Sequence, residues 1–320
     1  MNSRQRRKYQ KYQRLLWKAM RYEQHKRVRK LLRFVEADDD MIHSAIALGV
    51  SAEMVEMLQQ SAGMPEQELA KCRLSQALEA DDTELVRQFL NAGMSPDVAL
   101  DSYGNRPLHR ARSARMARLL LMAGAEVNTL TRYGEPPVFF ARGGALRALL
   151  DAGADASIIG IYGQSALMNY HPAEEVRLLL AAGANPHAAH IGKHTPLHHA
   201  VDAESVAIYA ELGLDVNARD DCGDTPLFLT HNFNVAKALL DAGADPCAVN
   251  DEGATALHTC IKPEIAELLL AAGTQVNAED AHGRTPLDFA LAQQYRDPEH
   301  KRLIATLIQA GGKKGSRAIT

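Results

Sequence analysis

The sequence predicts an all-α solenoid of stacked helix-turn-helix units joined by hairpin loops, and three observations carry that prediction. A glycine ending an apolar run recurs at Gly93, Gly124, Gly153, Gly183, Gly213, Gly243, Gly273 and Gly311, in steps of 31, 29, 30, 30, 30, 30 and 38 residues. A second column, Pro107, Pro137, Ala166, Pro196, Pro226, Ala256 and Pro286, steps by 30, 29, 30, 30, 30 and 30. Only 5% of the chain is aromatic while Ala and Leu abound, which suits many thin helices better than a few thick cores. Two columns keeping one period mark an internal repeat, and a repeat decides the fold before any single element does.

Each element of the unit follows from its residues. In Thr195-Pro196-Leu197, Thr225-Pro226-Leu227 and Thr285-Pro286-Leu287 a threonine stands where it can cap a helix start, and proline takes the first helical position, where no amide bond is lost. A helix should open there in every unit. The runs Leu119-Leu120-Leu121, Leu178-Leu179-Leu180 and Leu268-Leu269-Leu270 give the apolar stripe of a second helix, and the glycine after each supplies the left-handed residue that ends it. Ala-Asp or Val-Asn pairs and a turn-prone segment follow. Such a hairpin cannot bury its apolar face alone, so neighbouring units must stack.

This unit resembles the ankyrin repeat. The family's Gly-x-Thr-Pro-Leu-His-x-Ala and Leu-Leu-x-x-Gly-Ala-Asp signatures are matched by Gly223 to Leu227, Thr195 to Ala200 and Leu239 to Asp245, and similar stretches run from Gly104 to Ala111 and Gly283 to Ala290. The resemblance covers residues 72–312 and implies an ankyrin-repeat solenoid. The period departs from the family's usual longer unit, and the Gly-containing turn between the two helices is the segment expected to be shortened, with Pro172 and Pro263 at the junction starting the second helix abruptly.

The ends are less regular. Residues 1–40 are expected to form a basic helical segment or capping unit, 41–71 a degenerate repeat, 72–312 the regular array and 313–320 a disordered tail, with an insertion around Gln293 to His300. Within 1–33, thirteen Lys or Arg face one acid, a balance of +12, so the remainder carries −15 of the net −3. That basic front admits three readings: a nucleic-acid contact in which Tyr9, Tyr12, Trp17 and Tyr22 stack on bases, an attraction to an acidic protein or anionic membrane surface, or a solvated capping helix.

No stretch reaches the roughly 20 apolar residues that span a bilayer, and the N-terminus lacks a signal-peptide core, so a cytoplasmic location is expected. Cys72, Cys222, Cys247 and Cys260 show neither metal-ligand spacing nor the density of a disulfide scaffold. Cys222 is flanked by Asp220, Asp221 and Asp224, which oppose thiolate formation. No phosphate loop, dinucleotide fingerprint, nucleophile elbow or zinc-protease helix is present, so no enzyme activity and no cofactor are expected. His187, His190, His194, His198 and His199 crowd one repeat, but their spacing fits no compact zinc signature. The resemblance makes His109, His198 and His258 structural hydrogen-bonded rings.

The resemblance also implies that a partner docks on the hairpin tips and first helices. The residue before the turn glycine is Tyr103, Tyr133 and Tyr162 in three units, suggesting a tyrosine ladder, although tip aromatics also pack against neighbouring hairpins. Tyrosine suits the role, offering large area, a polar end and little rotamer entropy to lose. Arg132, Arg110, Arg142, Phe140, His171, His199 and His231 complete the candidate surface, and the tips turn acidic later at Asp220, Asp221, Asp251, Glu252, Glu279 and Asp280. The expected function is a monomeric, non-enzymatic scaffold that holds another protein, in its narrowest form an inhibitor or immunity-type protein. A nucleic-acid-associated regulator acting through residues 1–33 is the alternative.

Overall fold

Nine-residue helices recur through the chain because each second-helix segment places its apolar residues on one stripe. They are α2 (Thr83–Asn91), α3 (Ala114–Met122), α4 (Gly143–Asp151), α5 (Ala173–Ala181), α6 (Ala203–Glu211), α8 (Phe233–Asp241) and α10 (Pro263–Ala271). A longer helix, α1 (Glu66–Glu79), precedes them, and α12 (Pro298–Gln309) follows. The computed structural model describes residues 66–188, 190–293 and 298–316 together with Val28. The expected basic segment 1–40 and the greater part of the degenerate repeat 41–71 therefore fall outside the described residues, as do 294–297 of the insertion. Among the described residues there is no strand, only an isolated bridge between Val249 and Thr255.

The chain divides into two compact units, residues 1–132 with 143–153, and residues 133–142 with 154–320. In the first, α1 turns through Asp81 (φ 54°) into α2, whose cap Asp82 accepts the Glu84 and Leu85 amides at 3.2 and 3.0 Å. The short helix η1 (Pro107–Arg110) and the pair α3 and α4 complete it, around Leu74, Leu78, Val86, Leu108, Leu120 and Leu149. The second unit repeats the hairpin with η2 (Pro137–Phe139), η3 (Ala166–Met168), η4 (Pro196–His199), α7 (Pro226–Leu229), α9 (Ala256–Thr259) and α11 (Pro286–Ala292) as first helices. Its core is a spine of Val176, Leu179, Val206, Leu239, Leu269 and Leu303. In α6 the spine position is Tyr209, 1% exposed, whose hydroxyl donates to the Leu167 carbonyl at 3.4 Å.

The short period falls on the first helix as well as on the turn, where Pro172 caps α5 and Pro263 opens α10. The first helices shrink to a single turn of three or four residues, and only α11 reaches seven. Ala111, Ala200 and Cys260 then extend (ψ 112°, 135° and 128°), so the chain leaves each of these first helices at once and enters the second after three linking residues.

The caps also differ from a simple threonine cap. His198 Nδ1 accepts both the Thr195 amide and its hydroxyl at 3.0 Å, and His258 Nδ1 accepts those of Thr255 at 3.0 and 2.9 Å. Because Nδ1 accepts an amide N–H, the ring proton sits on Nε2. That nitrogen donates onward, from His198 to the Asp224 carbonyl at 3.3 Å and from His258 to the Arg284 carbonyl at 3.2 Å, tying each repeat to the next. In the last repeat Asp288 replaces the histidine, its Oδ2 accepting from the Thr285 amide at 3.0 Å. Of the tail 313–320, Lys313 to Ser316 are described and held: the Lys313 amide donates to Asn277 (2.6 Å), Gly315 to Asp288 (2.7 Å) and Ser316 to Glu279 (2.9 Å).

Candidate functional site

Turn chemistry fixes the hairpin tips. Asp220 Oδ1 accepts the amides of Cys222 (2.8 Å) and Asp224 (2.9 Å), and Asp280 Oδ1 those of His282 (2.9 Å) and Arg284 (2.8 Å). Asp101 does the same in the first unit for Tyr103 and Asn105. Neighbouring tips of the second unit are then joined by single amide bonds: Ile161 to the Tyr133 carbonyl (2.8 Å), Ile191 to Tyr162 (2.8 Å), Asp221 to Gly192 (3.1 Å), Asp251 to Cys222 (3.0 Å) and Ala281 to Glu252 (2.8 Å). Side chains between these bonds are presented on a backbone that is already ordered. One tip breaks the pattern, since Lys193 occupies the left-handed position (φ 56°) that glycine fills elsewhere.

On that frame the second unit carries an apolar row. The Tyr133 and Tyr162 rings meet at 5.7 Å, tilted by 36°. Ile161 and Ile191, which the sequence reading passed over, stand beside them 61% and 65% exposed, and Phe140 is exposed as well. The column of the two isoleucines is the signal that could have found them, because they stand two residues before the turn position, where other repeats carry Arg132, Asp221 and Asp251. His231 is exposed. In the first unit Tyr103 and Arg132 are exposed, joined by the Arg132 amide to the Tyr103 carbonyl at 2.8 Å.

Other candidates prove to be committed internally. Arg110 is half-buried between Asp101 (2.8 Å) and Glu79 (3.7 Å). His171, expected on the surface, is instead 1% exposed, because its ring bridges two charged groups. Its Nδ1 donates to Glu175 at 2.6 Å and its Nε2 receives Arg142 at 3.1 Å, while Arg142 also donates to the Ala141 carbonyl at 2.9 Å and to that of Asn169. Burial holds His171 below the usual histidine range, against the pull of Glu175 and with help from Arg142. His171 therefore braces Arg142 and offers no surface to a partner. The acidic tips divide likewise. Asp220 and Asp280 are buried turn acceptors, whereas Asp221, Asp251, Glu252 and Glu279 are exposed.

The crowded histidines pack ring against ring and do not converge on a common point. His194 meets His190, His198 and His199 at ring distances of 5.7, 5.3 and 5.3 Å, and Tyr170 closes edge-on over His199 at 4.8 Å. Burial first, then the neighbouring histidines, draw His199 down to about 4. Among the described residues no group of three or more ligating side chains could hold a metal ion. Cys222 is exposed, but Asp220 above all raises its thiol, and burial lifts the Cys260 thiol to about 11, so neither is an activated nucleophile.

No helix among the described residues is long and apolar enough to cross a membrane. No curated protein matches the chain. The family model of ankyrin repeats (3 copies) matches residues 203–280 and again 227–317. Proteins built from such repeats are generally protein-interaction scaffolds without catalytic activity. The same one-turn helix, nine-residue helix and glycine recur on both sides of residue 203, and the chain carries ankyrin repeats across residues 203–317.

Proposed function

We propose that the chain holds a partner protein on the hairpin tips of its second unit, with Tyr133, Ile161, Tyr162 and Ile191 as the anchors. The observation that supports this most is the row of exposed Ile161, Tyr162 and Ile191 beside half-buried Tyr133, on a tip backbone ordered by amide bonds between neighbours. Exposed apolar groups in a contiguous row are what a soluble surface avoids unless they are covered in use, and a preorganised backbone lowers the entropy lost on binding. Past Ile191 the tips carry exposed Asp221, Asp251 and Glu252, so the partner should present apolar or aromatic side chains first and basic ones beyond them. Tyr103 and Arg132 offer the first unit a tip contact of the same kind.

Affinity capture from the source cell with quantitative mass spectrometry tests this. Tyr162→Ala with Ile191→Ala should cut recovery of the captured protein about tenfold or more, with the melting temperature unchanged. Equal recovery would remove the tips from the account. The identity of the captured protein also decides whether the role is that of an inhibitor or immunity-type protein. The nucleic-acid reading depends on residues 1–33, which lie outside the described residues, and no specific observation favours it.

A further inference from the structure

The outer face of the first unit contains a groove of about 640 Å3 between α2 and α3, lined by Arg87, Arg115, Arg118, Leu90, Leu119 and Met122. Two of these residues break the rule of their own repeat. The second residue of the nine-residue helix is Glu84, Arg115, Gly144, Glu174, Glu204, Asn234 and Glu264 in successive repeats. An acid is favoured in a first helical turn by the exposed amides and the helix dipole, and α3 alone of these helices puts a cation there. The last residue of the same helices is Asn91, Met122, Asp151, Ala181, Glu211, Asp241 and Ala271, so α3 also places an apolar side chain where no other repeat has one larger than alanine. Met122 is 88% exposed. Local choices that oppose helix stability and solubility together, in one helix, are expected where a surface is used.

The charges are available. Among the described residues Arg115 and Arg118 have no ion-pair partner, and Arg87 has only a 3.8 Å approach to Glu84 on its own helix. The corresponding groove between α6 and α8 in the second unit has the opposite character, lined by Asp202, Glu204, Asn232, Asn234, Lys237 and Asp241. The groove of the first unit is therefore not what the repeat dictates.

We propose that this groove docks an acidic amphipathic peptide segment of a partner protein. Carboxylates would pair with Arg115, Arg118 and Arg87, since the guanidinium fork matches a carboxylate in two parallel hydrogen bonds. An apolar side chain of the segment would lie against Leu90, Leu119 and the flexible thioether of Met122, which adapts to irregular surfaces. The apolar floor favours a peptide over a nucleic acid, which would meet the arginines but leave Met122 uncovered. This surface is separate from the tips of the second unit and does not depend on them.

The test selects phage-displayed random peptides on the full chain, with counter-selection on the Arg115→Glu/Met122→Asp variant. Those substitutions install residues that other repeats carry at the same positions, so the fold is kept, and a melting curve verifies it. Enriched peptides should combine acids with apolar residues. Their affinity should fall about tenfold or more in the double variant and in Arg118→Glu, weaken with salt, and stay unchanged in Tyr162→Ala. Failure to enrich any peptide that separates wild type from variant would overturn the proposal, as would enrichment of basic or neutral peptides. So would self-association of the wild type, or its binding to phosphatidylserine vesicles, if abolished by the same substitutions while peptide affinity is unaffected.

Discussion

Replacing Gly223 by alanine loads the tightest point of the tip ladder. Gly223 has φ 77°, and a Cβ there would sit 2.4 Å from both Arg219 Nη2 and Asp251 Oδ1 and 2.8 Å from the Asp251 backbone nitrogen. The first two atoms end flexible side chains, and the exposed ion pair they form at 3.0 Å is worth little. The third cannot move without straining the amide bond from Asp251 to the Cys222 carbonyl at 3.0 Å. Left-handed backbone costs a residue with a Cβ about 1–2 kcal/mol, and a lost tip bond adds about 0.5–1.5 kcal/mol, so Gly223→Ala should destabilise by about 2–3 kcal/mol. Gly213→Ala isolates the first term, because Gly213 has nearly the same φ of 79° but nothing within 4 Å of the added methyl. Urea denaturation of both variants reads the difference. Gly223→Ala should be the weaker by about 1 kcal/mol. Equal losses would mean that the neighbouring tip does not approach Gly223 as described.

Lys193→Gly should act in the opposite direction, since it relieves a left-handed lysine (φ 56°) at the cost of an exposed 3.4 Å pair with Asp221, and a gain of about 0.5–1 kcal/mol in urea denaturation is expected. Tyr209→Ala should cost about 3–5 kcal/mol by opening the spine, whereas Tyr209→Phe, which loses only the 3.4 Å bond to Leu167, should cost under about 1 kcal/mol; similar losses would place Tyr209 outside the core. His199 titrates near 4 in the fold against about 6.5 unfolded, so the unfolded chain takes up the proton first as pH falls. Stability should be level above about pH 6.5 and decline from there toward pH 4, with His171, His198 and His258 adding in the same direction because burial lowers them too. Melting temperatures across that range should fall less steeply in His199→Gln, and a wild type with no decline would contradict the lowered titration of His199.

The repeat was legible because its two punctuating columns act through local backbone chemistry. Proline at a first helical position and glycine after the last turn need nothing from elsewhere in the chain, and the nine-residue helices fall between them. The length of the first helix was not legible, because a one-turn helix and a full one open with the same Thr-Pro-Leu. Column position also suggested that Arg142 and His171 face solvent. What ties them inward is Glu175, four residues on in α5, which holds His171, and the carbonyl of Asn169, which holds Arg142, a partnership that a column-by-column reading cannot see. The tyrosines of the candidate surface were found by their column, but Ile161 and Ile191 were not, since other repeats carry the charged Arg132, Asp221 and Asp251 at their position. Asp220 and Asp280 taught the converse, for an acid at a tip can be spent on holding the turn.

Hydroxyl-radical footprinting of the full chain, alone and with the captured protein, reports side-chain solvent access directly. Oxidation of Tyr133, Ile161, Tyr162 and Ile191 should drop when the partner is present, while exposed Phe233 and Ile308, on helices α8 and α12, react as before. Unchanged reactivity along the tips, with protection appearing at Phe233 or Ile308, would contradict a partner held on the hairpin tips of the second unit.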